Sequence, residues 1–350
     1  MKICLLVATL IAITSYAAEQ PSDDYGEIAE RARHQYWGFS VEPPSSLGWR
    51  IRRSEQAPVT ALFRKDQPSF IFLGSLPSAT HSFLVYAGLI SLNPEETIEQ
   101  FAQRQRRGRA GEGNPRHQLL AYEQQRESHQ GLECIRFRIK TLDKAAPNSP
   151  NAPLHIDERG FSCIHPVLSR TVITALTSER GLPSELNEQL HKEGDHFLRS
   201  IQVESFPGVP VSSVTRQPHS RDIEIYRAEF GLFSRGGRGQ PFFTPGTKVP
   251  LKEGQAYGWL IQVGTNQSKV KWREELTLPS APQTWGNADK AKAPRLSDDR
   301  KTSVTEGEAE PTVGLISHSW RVAPGDPKGR YTIRLVLEDN LSRTFEFHVE

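Results

Sequence analysis

The stretch from Leu315 to Glu350 constrains the fold most strongly, because its side chains alternate between apolar and polar over two long runs. Apolar residues occupy every second position of these runs: Tyr331, Ile333, Leu335, Leu337, Phe345, Phe347 and Val349. The segments 324–327 and 338–340 supply turn residues, so the pattern predicts three consecutive strands. Strands of this kind bury one face by stacking on a second sheet, and the stretch therefore predicts a sandwich or a barrel.

The length and charge of the chain narrow the class of protein further. A chain of 350 residues is long for one small core and predicts two domains. Its 43 basic and 41 acidic residues give a formal net charge of +2 and are spread along the sequence. Phosphate binding needs a concentrated basic field, so this balance argues against nucleic acid as the main partner.

Residues 1–17 have the pattern of a secretory signal peptide. Lys2 provides the positive end, and the apolar run from Ile3 to Ile13 is too short to span a bilayer. Cleavage is expected between Ala17 and Ala18, after small residues. The alternative is a membrane anchor. We predict an exported protein, periplasmic or secreted, that is not integral to the membrane.

The cysteines support a disulfide. Cys4 leaves with the signal peptide, so Cys134 and Cys163 remain as an even pair in an oxidising compartment. Both lie in strand-like runs separated by a polar, proline-rich connection. A bridge of this loop size would stabilise the fold by about 3 kcal/mol in the chain-entropy model. A reactive thiol or a metal pair is the alternative, but there is no CxxC spacing.

Residues 23–204 are predicted to form an α+β domain, an antiparallel sheet with packed helices. Helices are expected over Asp23–Tyr36, after the capping residue Asn93, and over Leu182–Ile201. Strand-like runs lie at 49–53, 59–64, 70–73, 83–92, 119–125, 132–141, 160–164 and 170–177.

The segment 205–221 is rich in proline and is predicted to be a linker. Residues 222–350 are then predicted to form an all-β immunoglobulin-like sandwich of about seven strands, without the usual disulfide. The runs 257–263 and 269–278 are expected to pair, whereas 231–246 and 279–312 are expected to be loops.

The segment from Gln103 to Arg109 is strongly basic. It is consistent with a patch for an anionic surface, such as lipid headgroups or a polymer. A solvated helix end is the favoured interpretation, because no aromatic residue is interleaved and Glu112 follows at once.

No catalytic, cofactor or metal residue is assigned from the sequence. Ser162, His165 and Asp157 are close in sequence, but a triad is defined by spatial geometry and there is no GxSxG motif. His191 and Asp195 are four residues apart on a predicted helix and could share a metal, yet two ligands do not close a site.

Tryptophans and carboxylates cluster in the second domain. Glu274 and Glu275 follow Trp272, but adjacent strand residues point to opposite faces and cannot form a facing catalytic pair. Most of these tryptophans are expected in the core or at its edge. Trp285 follows two prolines in a predicted loop and is the candidate contact surface.

Two resemblances add to this interpretation. Residues 34–204 resemble the small α+β fold of the PsbP-like proteins in the order of strands and helices. Residues 222–350 are similar to carboxyl-terminal sandwich domains of uncharacterised bacterial envelope proteins, through the segments VPLKEGQAYGW and WRVAPGDPKGRYTI. Both imply a fold and no activity.

The sequence therefore favours a non-enzymatic exported envelope protein that binds another envelope protein or a wall component. The alternative is a hydrolase acting on a wall polymer or peptide, with Asp157, His165 or His191 in its pocket. An accessory role in assembly or secretion is a third hypothesis. No cofactor is expected.

Overall fold

The computed structural model describes residues 25–28, 32–52, 59–67, 81–110, 114–146, 149, 151–168, 170–206, 209–210, 223–235, 241–265, 267–283, 285 and 294–350. The predicted signal peptide with Cys4, most of the predicted linker, and the predicted strand at 70–73 lie outside these residues. The chain divides into two compact units, whose main boundary falls between Gln217 and Pro218.

The described residues of the first unit form two short helices and twelve strands. In chain order the elements are β1 (Tyr25–Glu27), β2 (His34–Gln35), β3 (Phe39–Val41), β4 (Trp49–Arg52), β5 (Thr60–Gln67), β6 (His81–Ser91), α1 (Ile98–Ala110), β7 (His117–His129), β8 (Leu132–Asp143), β9 (Leu154–Ile164), β10 (Thr171–Gly181), α2 (Glu188–Ser200), β11 (Gln202–Phe206) and β12 (Val209–Pro210). An eight-stranded sheet has the order β1-β4-β5-β6-β10-β9-β8-β7, and a four-stranded sheet has the order β12-β11-β3-β2. Neighbouring strands in both sheets pair antiparallel in the described residues.

The first unit is thus largely β, and the α+β prediction overstated its helical content. The predicted helix over Asp23–Tyr36 is wrong, because the described part of this segment contributes β1 and β2. Tyr25 pairs with Arg52, and His34 pairs with Val41. Hydrogen bonding to neighbouring strands outweighs the favourable charge pattern that suggested a helix.

Strand β10 is the centre of the large sheet and is buried along its whole length, between β6 and β9. Helix α1 covers one face, where Phe101 packs in one cluster with Val172 of β10. Helix α2 covers the other, where Gly194 approaches Thr177 of β10 closely. Val172 and Thr177 are five residues apart on a strand, so they point to opposite faces.

Helix α1 begins later than predicted. The residues from Asn93 form a turn in which the Glu96 carboxylate accepts the Asn93 amide at 2.8 Å. Glu95 has a positive φ of 60°, which interrupts any helix starting there. Thr97 and Gln100 then exchange reciprocal side-chain bonds to each other's amides, a capping box that starts the helix at Ile98.

The predicted disulfide is confirmed. Cys134 of β8 and Cys163 of β9 are directly opposite in the antiparallel register, with their Cα atoms 4.1 Å apart. The bridge therefore joins two neighbouring strands of the large sheet.

The second unit is a β-sandwich, as predicted. Its strands are β13 (Glu224–Arg235), β14 (Pro241–Pro245), β15 (Lys248–Val249), β16 (Ala256–Gly264), β17 (Val270–Thr277), β18 (Arg295–Leu296), β19 (Thr302–Ala309), β20 (Leu315–Arg321), β21 (Gly329–Leu337) and β22 (Leu341–Val349). One sheet has the order β14-β13-β16-β20, and the other has the order β15-β22-β21-β17-β19-β18. The three consecutive strands expected after Leu315 are β20, β21 and β22.

Two sequence predictions for this unit are wrong. Strands β16 and β17 do not pair, because β16 lies between β13 and β20 while β17 lies between β19 and β21 of the other sheet. The segments expected to be loops also hold strands: β14 follows the glycine-rich part of the first, and β18 and β19 lie in the second. Strand β19 has polar residues on both faces, so its sequence lacks the alternation of apolar and polar residues by which strands are recognised.

Candidate functional site

A fully buried carboxylate lies in the interior of the sandwich. Glu274 is 0% exposed and belongs to β17, on the face that also carries the core residue Leu276. An unpaired charge in such a position would be very costly, so its partners determine what the site is. Those partners all come from the opposite sheet.

Three nitrogen donors surround Glu274. The indole Nε1 atoms of Trp259 and Trp320 both donate to its oxygens. Nδ1 of His318 lies 3.1 Å from Oε2. An indole nitrogen only donates and an ionised carboxylate only accepts, so the arrangement satisfies both kinds of group. It also ties β17 of one sheet to β16 and β20 of the other.

The imidazole of His318 is held among three indole rings. Its centroid is 4.7 Å from that of Trp272, 5.6 Å from that of Trp320 and 6.3 Å from that of Trp259. Its side chain is nevertheless 27% exposed, and Trp272 and Trp320 are half-buried. We call Trp272, His318 and Trp320 the aromatic edge of the sandwich.

Strand β19 lies beside this edge and contributes small and hydroxyl side chains. Thr305 is directly opposite Glu274 in the register, and Ser303 is opposite Leu276. The hydroxyl oxygens of both residues are buried and have no hydrogen-bond partner among the residues that the structure describes. Gly307 is needed here, since a Cβ atom would lie 2.6 Å from the ring of Trp272.

The first unit holds a different buried carboxylate. Glu179 of β10 is 0% exposed, with His81 Nε2 at 2.7 Å, His191 Nε2 at 2.9 Å and the Asn187 amide at 2.8 Å. Burial raises its pKa, but the imidazoles of His191 and His81 and the Asn187 amide outweigh this and hold the pKa at about 2. Asn187 also caps α2, so the carboxylate fixes the start of that helix.

Asp157 and His191, two residues expected for a hydrolase, lie near this carboxylate. Asp157 is opposite Glu179 in the register, and His191 Nε2 is 4.0 Å from its Oδ2. Like charges opposite each other repel. Arg138 and Arg159 compensate, at 2.6 and 3.1 Å from Asp157, and they lower its pKa against the effect of burial.

The other two residues considered for a catalytic triad, Ser162 and His165, do not lie with Asp157 and His191. Ser162 is bonded to the Thr174 hydroxyl at 2.9 Å, and it lies five residues from Asp157, on the opposite face of β9. His165 is buried with Nε2 at 3.1 Å from the Gly38 carbonyl oxygen. The three residues therefore form no Ser-His-Asp arrangement.

The metal hypothesis receives no support from geometry. His191 contacts Glu179, as described above, and in the described part of the chain no three His, Cys, Asp or Glu residues are grouped so as to hold a metal ion.

The candidate contact residue Trp285 is half-buried. It packs against the sandwich core, and its Nε1 donates to the Arg300 carbonyl at 2.9 Å. Glu275, by contrast with Glu274, lies on the outer face and pairs with Arg273 at 2.9 Å. The two glutamates do point to opposite faces, as strand geometry predicts.

The basic segment of α1 is partly neutralised within the unit. Arg104 pairs with Glu96 at 2.7 Å, and the buried Arg109 pairs with Glu158 at 3.2 Å. These contacts favour a helix end over a free basic patch, but the buried Arg109 is packed against the sheet and is not solvated as predicted.

Sequence reasoning missed His318 of the aromatic edge, the neighbouring Ser303 and Thr305 of β19, and Glu179 and His81 in the first unit. One signal was available: Glu274 occupies an inward position of an alternating strand, where an isolated charge requires partners. Which partners reach it depends on a contact between two sheets, and no local pattern encodes that contact.

Comparison with known proteins shows that the chain is similar to them in fold. Residues 228–350 match the family described as the PM0630 beta sandwich domain. No curated protein matches the chain. In the described residues, no helix has the length and apolarity needed to cross a bilayer.

Several solved structures are similar to the chain, and two of them illustrate the fold types. One is an immunoglobulin-like protein from Pseudomonas aeruginosa, with 17% identity, a TM-score of 0.28, and coverage of 37% of this chain and 98% of that one. The other is cyanobacterial PsbP from Synechocystis sp. PCC 6803, with 13% identity and a TM-score of 0.29. The match covers 51% of this chain and 96% of that one. These are the two fold types that the sequence resembles, and that resemblance is confirmed; at such TM-scores they carry nothing about activity.

Proposed function

We propose that this is a non-enzymatic exported envelope protein whose sandwich unit binds another envelope protein or a wall component through its aromatic edge. The observation that carries the proposal is the hydrogen bonding of Glu274 to Trp259, Trp320 and His318. Rings fixed in this way lose little conformational entropy on binding, which is what a contact surface requires.

The compartment is part of the same proposal. A disulfide within a sheet is typical of proteins that fold outside the cytoplasm, and the Cys134–Cys163 bridge supports export. The signal-like residues 1–17 point the same way. We also propose an immunoglobulin-like arrangement for the sandwich, supported by its two facing sheets of four and six strands.

The test is co-sedimentation of the purified mature protein with isolated cell envelopes. Trp272→Ala removes part of the aromatic edge without removing a donor to Glu274, and we expect it to reduce capture at least tenfold. Trp285→Ala is the matched control, because Trp285 is a half-buried tryptophan of the same unit. Equal capture of the wild type and the Trp272 variant would contradict the proposal.

A hydrolase is the second candidate, and the observation in its favour is the approach of His191 to Asp157 at 4.0 Å. Activity-based labelling of the mature protein tests it, with Asp157→Ala and His191→Ala as comparisons. If the wild type is labelled no more strongly than these variants, the hydrolase hypothesis is ruled out.

A further inference from the structure

We infer that the aromatic edge, together with Ser303 and Thr305, is a binding site for a neutral, hydroxyl-rich ligand, namely a pyranose unit of a wall polysaccharide. The inference rests on the proposed function and names the ligand class of that site. Nothing in the likeness to known folds assigns a ligand there.

The edge offers one free donor and one free acceptor. In the described part of the chain, neither Nε1 of Trp272 nor Nε2 of His318 has a hydrogen-bond partner, and neither is among the fully buried polar atoms. Because Nδ1 of His318 faces the Glu274 carboxylate, we assign the Nδ1–H tautomer, in which Nε2 is an acceptor. A sugar hydroxyl can both accept from Trp272 and donate to His318.

The hydroxyls of β19 extend this polar lining inward. Ser303 is 0% exposed, whereas Thr305 is half-buried with its Oγ1 atom buried opposite Glu274. Neither hydroxyl has a hydrogen-bond partner among the described residues. A buried hydroxyl without a partner costs free energy, so most such groups in folded proteins are satisfied. A ligand hydroxyl entering beside β19 would supply the missing bonds.

The charge of the site selects a neutral ligand. Glu274 already receives three N–H donors, so little acceptor capacity remains for an ammonium group. An anionic ligand would meet the same buried carboxylate in surroundings of low dielectric and be repelled. Indole surfaces are well suited to the apolar C–H face of a pyranose, whose rim carries hydroxyls.

The experiment is isothermal titration of the full mature protein with the neutral tetramer of N-acetylglucosamine and with glycan strands released from purified sacculi, after the carboxyl groups of these strands have been converted to amides. Thr305→Val replaces the buried hydroxyl by a methyl group of similar shape, and Trp272→Phe removes the free indole donor. We expect each variant to bind about tenfold more weakly, the equivalent of one lost hydrogen bond. Thr302→Val is the matched control on the same strand, since Thr302 bonds to Thr277 at 3.0 Å in an exposed position.

A thermal melt separates binding from folding. Thr305→Val removes an unpartnered buried hydroxyl, so its midpoint should equal or exceed that of the wild type although its binding is weaker. A merely structural threonine would show no effect on glycan affinity. Binding by Thr305→Val and Trp272→Phe that equals the Thr302→Val control would overturn the inference.

Failure of the inference can be told apart from failure of the proposed function. If the wild type binds neither the tetramer nor the glycan strands but is captured by envelopes through Trp272, the ligand is another envelope component and only the inference falls. If capture by envelopes is also independent of Trp272, both the inference and the proposed function are contradicted.

Discussion

In the described part of each unit one glutamate is completely buried, Glu179 in the first and Glu274 in the second, and their hydrogen-bond partners are of different kinds. Glu179 is surrounded by groups that exchange protons, the imidazoles of His81 and His191, with arginines close by. Glu274 receives two of its bonds from indoles, which only donate, and one from His318. Both imidazoles of the first arrangement can change tautomer when the carboxylate changes, whereas the two indoles of the second can only donate.

The difference shows what each carboxylate does. Glu179 anchors the start of α2 on its sheet through Asn187, within a network of charges. Glu274 connects two sheets and holds aromatic rings that reach the surface. Fixed donors around a buried acceptor are typical of preorganised sites, so the second arrangement is the one we associate with binding.

The largest expected effect tests this contrast directly. Glu274→Gln places an amide N–H₂ against indole donors that cannot become acceptors, and it should destabilise the sandwich unit by about 4 kcal/mol. Glu179→Gln should cost only about 1 kcal/mol, because an imidazole can change tautomer and accept. Hydrogen exchange with mass spectrometry assigns each loss to its unit. Equal losses in the two variants would break the comparison.

Removal of the disulfide should affect one unit alone. The paired substitutions Cys134→Ala and Cys163→Ala open a loop whose ends are 29 residues apart and should cost the first unit about 3 kcal/mol. Urea unfolding followed by segment-resolved exchange measures it. A comparable loss of protection in β13–β22 would show that the units do not unfold separately.

Acid should weaken the first unit through His165. Burial lowers the pKa of His165 to about 4, from an ordinary value near 6.5, although its bond to Gly38 opposes this. Between pH 6.5 and 4 the unfolded chain binds a proton that the folded chain does not, so stability falls as the pH falls through this window. The expected loss is about 2 kcal/mol.

His165→Gln keeps a donor for Gly38 and should reduce that pH dependence, as measured by urea unfolding at pH 7 and pH 4.5. The remaining slope comes partly from His117 and His129, whose pKa values burial also lowers. Glu179 acts in a lower window: its depressed pKa stabilises the fold above the unfolded value, and this is lost as the pH falls toward 2. An unchanged slope between pH 6.5 and 4 in the variant would refute the role given to His165.

The smallest expected effect concerns Trp285. Trp285→Phe removes one hydrogen bond to the Arg300 carbonyl and should cost about 1 kcal/mol. Envelope capture should be unchanged, which distinguishes this tryptophan from Trp272. Loss of capture in this variant would show that the contact surface lies at Trp285, as the sequence suggested.

The sequence predicted features that depend on local pattern. The alternation of Tyr331, Ile333 and Leu335 gave β21, and two cysteines in strand-like runs gave the disulfide. It failed where tertiary pairing decided the structure, as in β1 and β2, and where a strand lacks an apolar face, as in β19.

The candidate site was predicted only in part. Glu274 and Trp272 attracted attention because they are close in sequence, but His318 lies 44 residues from Glu274 along the chain. The connection after β16 carries the chain from one sheet to the other, so Trp259 and Glu274 meet across the interior. That crossing follows from packing of the two sheets and leaves no local signature.

The most direct test of the central claim is hydrogen exchange of the tryptophan indole protons by NMR, assigned with single Trp→Phe variants. The indole protons of Trp259 and Trp320 should exchange slowly because they are bonded to Glu274, and that of Trp272 should exchange rapidly. Rapid exchange at Trp259 and Trp320, or protection of Trp272 equal to theirs, would contradict the account of a locked aromatic edge with one free donor.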